Sequence, residues 1–148
     1  MNAILRTAGL RSEAVGNTDV PLIESLDTDA AAEDARDKAL SIAKAKAEAV
    51  AARPEAAGAL ILGCDSQLDL DGESLGKPHE PAVAIERWKR LRGNTGTLYS
   101  GHWLIDNRDP RPGVLPPASG LVSGTKVHFA NISDAEIEAY VATGEPLK

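Results

Sequence analysis

The segment that most constrains this chain is Ala59-Leu60-Ile61-Leu62-Gly63-Cys64, a continuous apolar run that stops on a carboxylate, Asp65. A short apolar run bounded by polar residues is the pattern of a strand buried on both faces of a sheet. Such a strand needs layers to cover it, and the flanking sequence offers helices. Residues 30–52 predict one, with Leu40, Ala43, Ala47 and Val50 along a single stripe. Asp29 is placed to cap its start, Glu33 and Asp34 suit the positive end of its dipole, and Arg53-Pro54 ends it.

Downstream of the run, Gln67 to Leu70, Asp71-Gly72 and Glu73 to Leu75 predict a small hairpin, since Asp-Gly is a favoured turn pair. Pro81 to Arg92 predicts a second helix, with Pro81 near its first position, Ala84, Trp88 and Leu91 on one face, and Gly93 closing it. Residues 97–105 and 121–130 are strand-like, separated by a loop at 107–120 that holds four prolines and two glycines. A last helix runs from about Asp134 to Ala142, where Ser133 and Glu136 form a capping box and Gly144 is the stop. Residues 3–10 predict the tail of a further helix ending at Gly9, and residues 11–29 are irregular and polar. Strands alternating with helices argue for an α/β fold, and the hairpin argues for a mixed central sheet flanked by helices.

The bulk properties narrow the function classes. A chain of 148 residues is one domain's worth. Its net charge of −6 argues against tracking nucleic acid or an anionic membrane, because both need a basic field. A small anionic substrate stays open, since a few lysines and a divalent metal can hold phosphates within an acidic surface. The single cysteine, Cys64, excludes an internal disulfide and a Cys-based zinc cluster. No apolar run approaches the ~20 residues of a membrane span, and the opening residues lack a signal-peptide core. The cytoplasm is therefore the expected compartment. A homodimer is the ordinary assembly for a small enzyme there.

Three residues are candidates for chemistry. Asp65 follows the buried run, and strand ends are where α/β sheets bind ligands; the alternative is a carboxylate that caps the next turn. Lys46 falls within the apolar stripe, three residues after Ala43, four after Ile42 and seven after Ala39, whereas Lys44 lies on the polar face. An inward lysine is costly without a partner, although one at the stripe edge can snorkel to water. Lys77 sits in Leu75-Gly76-Lys77-Pro78, a stiff turn suited to presenting a cation to phosphate, or simply a surface loop. His79, His102 and His128 show no metal-ligand spacing, and Trp88 and Cys64 read as packing residues.

Together these pieces resemble the Maf family of nucleoside triphosphate pyrophosphatases. The run Gly63-Cys64-Asp65-Ser66, then Leu70-Asp71-Gly72 and Leu75-Gly76-Lys77-Pro78, matches that family's central signature. Ala45-Lys46-Ala47 matches the Lys-Ala step on the preceding helix. Trp88 to Gly93, Tyr99-Ser100-Gly101, Thr125, Val127, Phe129, Glu136, Tyr140 and Gly144-Glu145-Pro146 fit the segments that follow.

The resemblance implies a Maf/ITPase-like fold and hydrolysis of (d)NTP to (d)NMP and pyrophosphate, with removal of non-standard nucleotides as one use. It implies that Asp65 is the catalytic carboxylate and helps hold Mg²⁺ or Mn²⁺, with Lys46 and Lys77 as phosphate ligands. It also implies departures. The family's opening strand and Ser-x-Ser-Pro-x-Arg loop and its closing Gly- and aromatic-rich segment lie outside the match. A family acidic residue expected near Asp19 is replaced by Val20 or displaced, and a common histidine is Gly96. The expectation is a single domain over 1–148, truncated at both ends. The competing expectation is a non-catalytic binding or regulatory module that keeps part of the fold.

Overall fold

The computed structural model describes residues 34–147. The elements, in chain order, are α1 (Ala35–Ala51), a 3-10 turn (Pro54–Ala56), β1 (Ala59–Leu70), β2 (Glu73–Leu75), α2 (Pro81–Leu91), β3 (Thr95–Asn107), β4 (Ala118–His128), α3 (Asp134–Ala142) and a final 3-10 turn (Glu145–Leu147). The four strands form one sheet in the order β2-β1-β3-β4. Among the described residues every pairing is antiparallel. The α/β class is as expected, but the parallel component expected of a mixed sheet is not found among these residues. The reason is that α2 follows a hairpin and returns the chain to β3 running against β1.

The strands are longer than the sequence pattern suggests. The apolar run and the first arm of the hairpin are one strand, twelve residues long, paired to β3 from Ala59 to Asp69. Nor is the run buried on both faces: Leu60 is 44% and Leu62 is 36% exposed. The hairpin turn is as predicted, with Asp71 and Gly72 both at positive φ (54° and 84°), the backbone that matches strand twist.

The first helix also starts later than predicted. Asp34 takes extended backbone and its carboxylate accepts the Asp37 N–H, so Asp34 is the cap and Ala35 the first helical residue. The proposed cap Asp29, the other predicted helical residues 30–33 and the predicted helix at 3–10 lie outside the described residues. The capping box of α3 is present, with Ser133 and Glu136 each satisfying the other's backbone N–H. Among the described residues no helix is long and apolar enough to cross a membrane.

What brings α1 close to the sheet is the absence of side chains at two positions beneath it, while further along Ala47 packs on Ile61 and Ile105. A Cβ on Gly63 would lie 2.1 Å from the Ala43 carbonyl oxygen, and one on Gly101 would lie 2.3 Å from that of Ala39. The helix answers with small residues, Ala39, Ala43 and Ala47, all buried. Glycine inside a strand is normally unfavourable, so its value here is the close approach it permits. At the hairpin end, Leu70, Leu75 and Leu91 form a separate core with Leu68, Trp88 and Phe129. Trp88 also meets the Tyr140 ring edge-to-face, tying α2 to α3.

Gly101→Ala should therefore lower the unfolding free energy by about 1–3 kcal/mol, because the helix must lift to admit the methyl group. Gly76→Ala, with nothing within 4 Å of the added carbon, should change it by less than about 0.5 kcal/mol. Urea denaturation of the two variants checks this, and equal losses would mean that the helix contact is loose.

Candidate active site

Asp65 does not end its strand. It lies midway along β1, directly opposite Gly101 of β3. An acidic residue is tolerated there for two reasons visible in the structure. Gly101 leaves room beside it, and α1, seated on the glycines, delivers a cation. Lys46 Nζ stands 2.6 Å from Asp65 Oδ1 and also donates to the Cys64 carbonyl at 3.4 Å. The two side chains are 16% and 15% exposed, so the pair is largely sheltered from water.

The helix phase read from sequence holds. Lys44 points away, 48% exposed, beside Glu48 at 3.8 Å and over the Trp103 ring at 5.3 Å. Lys46→Ala should cost about 1–3 kcal/mol of stability, since it strips a sheltered carboxylate of its charged hydrogen-bond donor. Lys44→Ala should cost less than about 1 kcal/mol, the range of exposed pairs. Equal losses in urea melts would show that the Lys46–Asp65 pair does not persist in solution.

The other carboxylate oxygen is also held. Gln67 Nε2 donates to Asp65 Oδ2 at 2.8 Å, and Ser74 Oγ of β2 donates to Gln67 Oε1 at 3.3 Å. Gln67 is buried, at 6% exposure. Gln67 is not among the residues the sequence marks for chemistry, because there it reads as the start of a hairpin arm. The signal was the period of two, which puts residues 65 and 67 of one strand on the same face.

Lys77 lies at the exposed turn beyond β2 and shares no hydrogen bond or ion pair with Asp65 or Lys46. The hairpin register, Leu70↔Glu73 through Leu68↔Leu75, runs the chain back along β1 toward Asp65, so Gly76 and Lys77 follow in that direction. Arg87 of α2 donates to the Gly76 carbonyl and braces the turn. His79 holds positive φ at 56°.

The remaining candidates keep structural roles. His128 Nδ1 pairs with Thr95 Oγ1 at 2.7 Å. Cys64 is half-buried, not fully buried as its run suggested, and it points to the face opposite Asp65. Burial pushes its thiol above the ordinary value, which suits an inert residue. Among the described residues no group of three or more His, Cys, Asp or Glu side chains is placed to hold a metal ion between them.

Comparison with known families matches the Maf-like protein profile to residues 2–148. The chain belongs to the Maf-like protein family. Its Maf-like relatives include the nucleoside triphosphate pyrophosphatase of Streptomyces avermitilis, 44% identical over 145 residues, which are 97% of this chain and 64% of the relative. The enzyme of that name from Leifsonia xyli is 50% identical over 109 residues, 72% of this chain and 49% of the relative. That from Gloeothece citriformis is 51% identical over 108 residues, 73% of this chain and 51% of the relative. The Maf-like chain thus spans between about half and 64% of the length of these relatives.

Proposed function

We propose that this chain acts as a nucleoside triphosphate pyrophosphatase, hydrolysing (d)NTP to (d)NMP and pyrophosphate. The observation that carries the proposal is the Asp65 carboxylate, held at both oxygens by Lys46 and Gln67 on the strand that carries the family's signature. A carboxylate fixed in this way can accept a proton from an attacking water. The water oxygen forms a bond to phosphorus, the bridging P–O bond to pyrophosphate breaks, and the water's proton passes to Asp65. Lys46 and Lys77 serve as point charges on the phosphates, Lys46 by sharing its ammonium between Asp65 and the substrate.

A divalent ion fits this donor set. A carboxylate has about four lone-pair sites, so two hydrogen bonds leave Asp65 with coordination capacity. Mg²⁺ is commonly held by one or two carboxylates together with substrate phosphates and water, so a lone protein carboxylate does not disqualify the site. Asp65 would be its ligand, and the ion would offset charge developing on the phosphate oxygens. The reading takes a nucleotide as the partner, the cytoplasm as the compartment and a homodimer as the assembly. Removal of non-standard nucleotides is the use it suggests.

The test is pyrophosphate release from a panel of ribo- and deoxyribonucleoside triphosphates with Mg²⁺ or Mn²⁺. Wild-type protein should release pyrophosphate, and Asp65→Asn should lose at least about 100-fold in turnover, the scale of a lost general base. Asn keeps the shape but takes no proton. Nucleotide binding without pyrophosphate release would favour a binding module instead, and an active Asp65→Asn variant would remove Asp65 from the chemistry.

A further inference from the structure

We infer that Gln67 is a positioning residue that fixes the plane of the Asp65 carboxylate and ties it to β2; as a statement about catalysis this rests on the pyrophosphatase reading above. Three observations carry it. Gln67 is buried on the face of β1 that bears Asp65, where an amide must find partners or cost stability. Its amide finds two: Nε2 gives a hydrogen to Asp65 Oδ2 at 2.8 Å, and Oε1 takes one from Ser74 Oγ at 3.3 Å. Lys46 engages the other carboxylate oxygen from the helix side at 2.6 Å.

The amide orientation is forced by these partners. Turned over, Gln67 would aim its carbonyl oxygen at a carboxylate oxygen, with no hydrogen between them. A lysine alone fixes a distance, because an ammonium donates in three rotatable directions and leaves the carboxylate free to swing about it. A second donor on the second oxygen removes that rotation. The lone pairs not used by Lys46 and Gln67 then keep one direction, as a general base requires of its geometry. The link onward matters as well. Ser74 belongs to the strand that leads through Leu75 to Gly76 and Lys77, so one chain of hydrogen bonds joins the carboxylate to the arm bearing the exposed lysine.

The experiment compares Gln67→Leu, which keeps the bulk and loses the donor, with Gln67→Glu, which keeps the shape and replaces the donor by a second carboxylate. Turnover of Gln67→Leu should fall about 10- to 100-fold, the usual scale for partners that orient a reacting group, with KM changed less than about threefold. Gln67→Glu should fall further. Unchanged turnover in folded Gln67→Leu overturns the inference, and so does a rise in KM with turnover intact. Should Gln67→Leu fail to fold, Ser74→Ala removes only the outer bond, and it should lower turnover by a smaller factor with KM again steady. An unchanged Ser74→Ala turnover would then overturn the link to β2.

A crystal structure of Gln67→Leu gives an answer independent of activity. The Asp65 carboxylate should rotate or take several orientations, and a single wild-type orientation held by Lys46 alone would overturn the inference. If wild-type protein releases no pyrophosphate, the pyrophosphatase reading fails by itself, and the crystal result still decides whether Gln67 holds the carboxylate.

Discussion

The contact on which the rest depends is between the backbone of α1 and two glycines of the sheet. Gly63 and Gly101 lie on neighbouring strands, and each would drive a Cβ to within 2.3 Å of a helix carbonyl oxygen or closer. With no side chain at these two positions, the helix comes nearer to the sheet there than larger residues would allow. Ala39, Ala43 and Ala47 are the helix's half of this fit. Low aromatic content and alanine richness, which look like mere composition, are what such a thin interface requires.

That closeness has an electrostatic consequence. Lys46 is on the same helix surface as the buried Ala39, Ile42 and Ala43. Here it meets Asp65 at 2.6 Å, on the row of the sheet that Gly101 leaves open. A strand interior is an unfavourable place for aspartate and a helix underside is an unfavourable place for lysine; each residue makes the other tolerable. Local rules broken in pairs at one spot are a common mark of a functional site.

Much of this was legible in the sequence, and the exceptions have physical causes. The Asp71-Gly72 turn, the Ser133–Glu136 box and the inward phase of Lys46 depend on residues within a few positions of one another, so local patterns reveal them. The continuity of β1 through Asp65 does not, because it is decided by Gly101, thirty-six residues away. A carboxylate after an apolar run looks like a boundary until its cross-strand neighbour is known. Gln67 was legible only in part: the period of two puts it on the face of Asp65, but its other partner, Ser74, reaches it only once the hairpin closes. The exposure of Leu60 and Leu62 likewise follows from which face α1 covers, which hydrophobic content alone does not encode.

The central claim is that the glycine contact makes Lys46 and Asp65 a coupled pair. The most direct measurement is a double-mutant cycle on unfolding free energy, using Lys46→Ala and Asp65→Ala, run once in the wild-type background and once in Gly101→Ala. The account predicts a coupling of about 1–2 kcal/mol in the wild-type background, within the range for residues in contact, that falls toward zero when Gly101 carries a methyl group. A coupling that survives Gly101→Ala undiminished would contradict it, since the pair would then form without the close approach of helix and sheet.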